Sequence, residues 1–491
     1  MIPLRRLSEI RDAGNLVWFR NALERVRAVF QEPGPQLRGF LAPDSPTYIA
    51  RAPGRLDVMG GISDYSGGRV LELPLDCATT ALLQPQDTPR CDIATHRGGR
   101  WHFFRVELPL HPPPLLAAWF AGRTTDRWAS YVVGVVQDGL SCAARQGRQA
   151  PAGLRILIDS TVPEGRGVAS SAALEVAVGA AVAAACGTAM TAAELAAACQ
   201  AVENHVVGAP CGIMDQMTSA CGQRDRLLQL CCQPGTIEGY VAVPAGYRFY
   251  GIDSGVSHTV AGADYGTVRT AAFMGYRMIA AAAGLRAVPD GSRVRVDDRR
   301  WGGYLANLTG PELAELGGGL PEEMSGADFL EHYDGLTDTV TQVRPERRYP
   351  VRRATEHPVR EHERVRRFAE VLGGLADEPQ AALELGRLMH ESHKSYSACG
   401  LGSDGTDRLV DLVAAEGHTR GLFGAKITGG GSGGTVAVLG TSEAGPLVRE
   451  LATRYGAETG RDATVFTESG PGAGETGVLL LEPEELVSGR W

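Results

Sequence analysis

The residues best suited to chemistry open at 163–172, PEGRGVASSA. A Gly165-x-Gly167 turn runs into Ser170 and Ser171, and an alanine-rich apolar stretch follows. This order predicts a glycine-rich loop feeding a helix N-terminus. The free amides of a helix's first turn and its positive dipole end attract anions. Glycine lets backbone approach the anion with no Cβ in the way, and serine hydroxyls can reach a bound cation. The pattern points to a phosphate, that of a nucleotide. A tight turn before a core helix has the same local look, so two further segments matter.

The first is RAPGRLDVMGGISDYSGG, residues 51–68. It has too many glycines and polar residues to read as a buried strand, and it is too apolar for a linker. Beside a phosphate loop, Arg55 suits phosphoryl charge and Asp64 suits the hydroxyls of a polyol. The second is GAKITGGGSGGTVAVL, residues 424–439, with six glycines ahead of a strand-like run. Alone it reads as a flexible hairpin.

Around these segments the chain alternates strand and helix. Residues 16–32 read as a helix, 47–53 and 69–84 as strands flanking the Arg55 loop, and 128–146 as an amphipathic helix. A strand at 154–163 delivers the chain into the glycine-rich turn, and helices at 170–187 and from 191 follow. Helices are expected at 264–284, 358–374, 377–394, 404–416 and 442–455, with a strand at 434–439 and a strand pair at the C-terminal end. The stretch 287–357, rich in Pro, Gly and Arg, has few periodic runs and reads as an insertion or lid. The expected class is α/β, strictly α+β, in two units at 1–244 and 245–491.

Composition narrows the function. The chain has 491 residues, 44% of them hydrophobic, enough for two cores. A net charge of −9 with interspersed signs gives no footprint for nucleic acid or an anionic membrane. No apolar run is long enough to span a bilayer, and the N-terminus has no secretory apolar segment. Ten cysteines without a C-x-x-C pair read as reduced core residues, so a cytoplasmic location is expected. His390 and His393 share a helix face, but no carboxylate or cysteine cluster completes a zinc site. The P-loop sequence G-x-x-x-x-G-K-[ST] and the protein-kinase signatures are absent.

Taken together, the three segments resemble the three motifs of the GHMP small-molecule kinases, in the galactokinase branch. VENHVVGAPCGIMDQMTSACG resembles a further galactokinase segment. Within that branch, GRLDVMGGISDYSG and HKSYSACGLGSDGTDRLV resemble the L-arabinokinase subgroup. The resemblance implies a two-domain fold with the site in the interdomain cleft. It also implies transfer of the ATP γ-phosphoryl to the anomeric hydroxyl of a monosaccharide, L-arabinose first, with Mg2+ as cofactor. A kinase of galactose or another galacto-configured or modified sugar is the alternative. A silent sugar sensor is disfavoured because Arg55, Asp215 and both serines are present. The partners expected are the sugar and ATP, in a monomer or homodimer.

The resemblance also implies residue roles. Gly165, Gly167, Val168, Ala169 and Ser170 cradle the phosphates, and Ser171 with Glu203 holds the Mg2+. Asp215 faces the acceptor hydroxyl as base or orienting group. Arg55 faces Asp215 and the transferring group. Asp64, Gly212 and Tyr265 line the sugar, and Trp128 either stacks near adenine or is a core residue. One departure bears on the substrate. Gly61 and Ile62 stand where galactokinases carry a Glu-His pair facing the exocyclic hydroxymethyl group, which a pentose lacks. A hexose hydroxyl against Ile62 would go unsatisfied, at about 1–3 kcal/mol. Asp57 also departs from the usual Asn, and nothing in the sequence accounts for it.

Overall fold

The computed structural model describes residues 1–12, 16–31, 34, 36–257, 263–291, 293–376, 378 and 380–488. Glu32, Asp377 and residues 258–262, which the sequence assigns to helix ends and to the segment before Tyr265, lie outside the described residues.

In chain order the first strands are β1 (Leu4–Arg6), β2 (Thr47–Met59), β3 (Arg69–Gln86), β4 (Arg90–Arg97), β5 (Arg100–Glu107) and β6 (Gly153–Ser160). β7 (Arg226–Cys231), β8 (Thr236–Ala242) and β9 (Tyr247–Asp253) follow. Two small two-stranded sheets come next, β10 (Ala287–Asp290) with β11 (Arg293–Val296) and β12 (Met324–Ser325) with β13 (Arg348–Tyr349). β14 (Leu422–Ile427), β15 (Thr435–Thr441), β16 (Val465–Phe466) and β17 (Val478–Leu481) close the series. The large sheet has the order β1-β17-β2-β3-β6-β4-β5, with β7 also on β3 and β8 on β7. The smaller sheet runs β14-β15-β9-β16, antiparallel throughout. β17 carries the end of the chain back between β1 and β2.

The helix Ser170–Ala185 packs on β2 and β3 and is buried on nearly all sides. Its alanines and Gly179 let neighbours come close: a Cβ on Gly179 would meet Leu195 at 2.6 Å. The mixed sheets with helices packed against them agree with the expected class.

Two segments depart from the sequence reading. β2 runs unbroken to Met59, through residues expected to form a loop, and all of 51–59 is buried. Charged residues are tolerated there because each has a charged partner: Arg51 lies 3.5 Å from Asp76, and those of Arg55 and Asp57 are described below. The stretch 287–357 is not a bare excursion. It carries the helices Gly310–Leu316 and Gly326–Tyr333 and the first turns of Val351–Gly374. Its Trp301, Leu305, Phe329 and Tyr349 share one core with Ile62, Tyr65 and Tyr265. The apolar residues are spread over short elements, so no single window shows a period. All ten cysteines are unpaired. No helix among the described residues is long and apolar enough to cross a membrane.

Candidate active site

The site begins at an irregularity in β2. The β2–β3 register shifts between Pro53 and Arg55. A Cβ on Gly54 would meet the Val168 carbonyl at 2.7 Å, and that carbonyl accepts the Arg55 amide at 3.1 Å. Glycine therefore lets the strand dock directly on the glycine-rich loop. Val168 is buried with its side chain in the core, so it offers the site backbone only.

The loop itself needs left-handed backbone at Gly165 (φ 67°), Gly167 (φ 69°) and Ala169 (φ 60°). The alanine there costs about 1–2 kcal/mol, held by the packing around it. Ser170 then begins the helix, so the first-turn amides face the same space as the loop. The third glycine segment is the β14–β15 connection, and it is buried rather than a free hairpin. A Cβ on Gly429 would meet Arg55 Nη2 at 2.9 Å, and one on Gly434 the Arg166 carbonyl at 2.9 Å. Those glycines let this segment lie against the back of the phosphate loop.

Arg55 is 2% exposed and joins three elements. Its Nε and Nη2 contact Asp215 Oδ1 at 2.9 and 2.8 Å, and its Nη1 donates to the Gly167 carbonyl at 2.6 Å. Its Nε also lies 3.3 Å from Glu72 Oε2. Burial opposes the Arg55 charge, but Asp215, Glu72 and Asp57 outweigh it and hold its pKa above the ordinary value. Burial pushes the Glu72 carboxyl well up, with Asp57 adding to the shift.

Asp64 and Ile62 sit in the short 3-10 turn Gly61–Ser66 that follows β2. Burial raises the Asp64 carboxyl to about 7; Asp215 adds to this, while Arg269 and Arg55 oppose it. A Cβ on Gly212 would meet Asp64 Oδ2 at 1.7 Å, so glycine is the residue that admits the carboxylate. Tyr265 packs edge-on against Tyr65, ring centroids 5.8 Å apart. Gly61 does not line the site. It lies over Tyr396, and its amide donates to Asp57 Oδ1 at 3.1 Å.

Glu203 lies beside Ser171, and both it and Glu175 accept hydrogen bonds from Gln216 Nε2, at 2.6 and 3.1 Å. Burial, then Asp215, raises the Glu203 carboxyl to about 7. Burial, then Glu203, raises that of Glu175. Glu175 Oε1 has no hydrogen-bond partner. Two buried carboxyls beside a serine hydroxyl are oxygen donors of the kind a hard cation takes.

These residues enclose a cavity of about 240 Å³. It brings together Arg55, Ile62, Asp64, Gly165, Gly167, Ala169, Ser170, Ser171, Glu203, Gly212, Asp215 and Tyr265. A second cavity of about 450 Å³ shares Gly165, Ser170, Ser171 and Tyr131 with the first. Trp128 lines this second cavity, edge-on to Phe104 with Arg97 over its ring, rather than the first.

The same segments match known families. Residues 40–85 match the galactokinase galactose-binding signature, 130–223 the GHMP kinases N terminal domain and 378–457 the GHMP kinases C terminal model. A galactokinase of Chloroflexus aggregans is 32% identical over 89% of this chain and 95% of its own length. The chain belongs to the GHMP kinase family, in its galactokinase branch. An L-arabinokinase of Arabidopsis thaliana is 38% identical over 88% of this kinase, which spans 47% of that longer protein. Lactococcus lactis galactokinase, solved with galactose, shares the fold, with a TM-score of 0.67 at 18% identity over 92% of this kinase and 98% of that chain.

Several residues of the kinase's site were not legible beforehand. Tyr131, Cys211 and Met214 line the first cavity, and Gly430 completes it. Asp57 now has a physical account. It forms an ion pair with Lys426 at 2.8 Å, both side chains 0% exposed. A lone lysine inside the strand-like GAKITGG is the one sequence signal for that pair.

Proposed function

We propose that this kinase transfers the γ-phosphoryl group of ATP to the anomeric hydroxyl of L-arabinose, giving the 1-phosphate and ADP. The nucleoside lies in the cavity walled by Trp128, and its phosphates lie along Gly165–Ser171. The sugar lies in the cavity walled by Ile62, Asp64 and Tyr265. Asp215 accepts the hydrogen bond of the anomeric hydroxyl and takes its proton. The hydroxyl oxygen bonds to the γ-phosphorus and the bond to the ADP oxygen breaks. Both Arg55 contacts fall on Asp215 Oδ1, which leaves Oδ2 outside the ion pair. The Arg55 guanidinium holds the carboxylate in place and offsets charge building on the transferring group.

The donor set at Ser171 and Glu203 suits Mg2+, with Glu175 behind it. Among the described residues no group of three or more His, Cys, Asp or Glu side chains is arranged to hold a metal by itself. Mg2+ normally keeps waters and substrate phosphate oxygens, so one carboxylate and one hydroxyl suffice. When bound it neutralises charge on the β- and γ-phosphates.

The observation that carries the sugar assignment is the wall at Ile62. The side chain is apolar and buried against the cavity, with no polar group to meet an exocyclic hydroxyl. The relatives' names support a sugar kinase of galacto-type ring configuration. The test is ATP consumption against free sugars that include L-arabinose, D-galactose and uronic acids. Faster turnover of D-galactose than of L-arabinose overturns the pentose assignment.

A further inference from the structure

Tyr396 stands on the helix Ala381–Ala398, far in sequence from the sugar-side turn, and is fully buried. It does not line the cavity, yet its hydroxyl meets the turn that does. The Ile62 amide donates to Tyr396 Oη at 2.8 Å, and the Tyr396 hydroxyl donates to the Gly429 carbonyl at 3.0 Å. Asp57 Oδ2 is 3.5 Å away and itself accepts from Lys426 Nζ at 2.8 Å and the Gly429 amide at 3.1 Å. Asp57 Oδ1 accepts the Gly61 amide at 3.1 Å. Lys426 Nζ lies 5.2 Å from the centroid of the Tyr396 ring.

This buried network ties two loops that face the site from different parts of the chain. One carries Ile62 and Asp64; the other carries Gly429, whose missing Cβ leaves room for the Arg55 guanidinium. The phenol also occupies space at Gly61. A Cβ on Gly61, which already has φ +39°, would fall 1.5 Å from Tyr396 Oη and 2.6 Å from Asp57 Oδ2. Glycine at 61 and tyrosine at 396 therefore form one fitted pair. The hydroxyl takes the volume that a side chain at 61 would need, and the same hydroxyl pins the next amide.

We propose that Tyr396 is a sugar-positioning residue, whose hydroxyl fixes the height of the Gly61–Ser66 turn over the cavity and the placement of Ile62 against the sugar. The proposal rests on the sugar-kinase reading of that cavity. Its action is indirect, through the Ile62 amide, so it should alter sugar binding and leave nucleotide binding alone. Fully buried hydrogen bonds of this kind are individually modest but leave two unpaired polar groups when cut.

The test is steady-state kinetics on Tyr396→Phe, Gly61→Ala and the double variant. Each is read with ATP and whichever of L-arabinose and D-galactose the wild type turns over faster. Tyr396→Phe should raise the sugar KM roughly tenfold and leave the ATP KM within about twofold. Gly61→Ala should be more damaging, and adding Tyr396→Phe should recover part of its loss, since the nearest atom that its Cβ meets is gone while Asp57 Oδ2 and the ring carbon remain. An unchanged sugar KM in Tyr396→Phe overturns the proposal. So does an equal rise in both KM values, the mark of a purely structural core residue. Should Gly61→Ala fail to fold, the KM split in Tyr396→Phe decides alone. A wild type that prefers D-galactose removes the L-arabinose assignment without touching this comparison.

Discussion

Arg55 and Asp215 meet at 2.8 Å across 160 residues of chain, with the arginine almost fully buried and the aspartate 18% exposed toward the cavity. The pair joins β2 to the helix Met214–Cys221, and the Gly167 carbonyl adds the phosphate loop to the same guanidinium. One side chain thus sets the spacing between Asp215 and the glycine-rich loop, which on the proposed reading meet the acceptor hydroxyl and the donor's phosphates. Proximity of that kind supplies much of the rate of a phosphoryl transfer.

Asp215→Asn should lower kcat by about 10²–10⁴-fold, the usual contribution of a positioned proton acceptor. Asparagine keeps the size of the side chain but loses the charge. Nucleotide affinity, read by a fluorescent ATP analogue or calorimetry, should stay within a few-fold. Retention of more than about a tenth of kcat removes Asp215 from the proton-accepting role.

The double variant Ser171→Ala, Glu203→Gln should need more Mg2+ for half-maximal rate and should lower kcat, with a smaller effect on the sugar KM. Both side chains line the first cavity, a hydroxyl beside a buried carboxyl. The check is a Mg2+ titration at saturating ATP and sugar. An unchanged titration places the ion elsewhere.

Wild-type kcat/KM should be higher for L-arabinose than for D-galactose. Ile62→Asn should move the ratio toward D-galactose by about tenfold or more, because one new polar partner is worth roughly 1–3 kcal/mol. The change is best made at 62 alone. A paired Glu-His substitution at 61 and 62 would drive the new Cβ into the Tyr396 hydroxyl, so its effect would report collapse of the turn rather than specificity.

In the protein without substrates, Asp64 should make a contribution to stability that is lost as pH rises from about 4 to about 7. The Asp64 carboxyl is raised by burial to about 7, so the folded state holds a proton that the unfolded chain has already released. With more protons bound in the folded state, the unfolding free energy falls with rising pH through that window. Asp64→Asn removes this titration. Urea unfolding at pH 5 and pH 8 should show a smaller loss in the variant than in the wild type, by on the order of a few kcal/mol. Equal losses mean that Asp64 does not hold its proton in the folded state.

Trp128→Ala should raise the ATP KM several-fold and leave the sugar KM nearly unchanged, since Trp128 lines the second cavity and not the first. A reversed pattern places the nucleoside elsewhere.

The amino-acid sequence by itself determined what chemistry is at hand. A phosphate-binding turn depends on local backbone freedom and on a helix start, and both are written within ten residues at 163–172. Arg55 and Asp64 were nameable from their residue types beside that turn, whereas Glu203 and Asp215 were nameable only through the resemblance to the galactokinase segments. The tertiary structure decided how those pieces are held. β2 could not be read as a strand through Arg55 and Asp57, since buried charge is acceptable only beside a partner, and the partners Asp215 and Lys426 lie 160 and 369 positions away. Asp57 looked unexplained until Lys426 stood beside it. Gly61 read as a sugar-facing position until Tyr396 filled the space above its Cα. Spacing along the chain carries local conformation; which distant side chain completes a buried charge or fills a missing Cβ is fixed only when the sheets and helices pack.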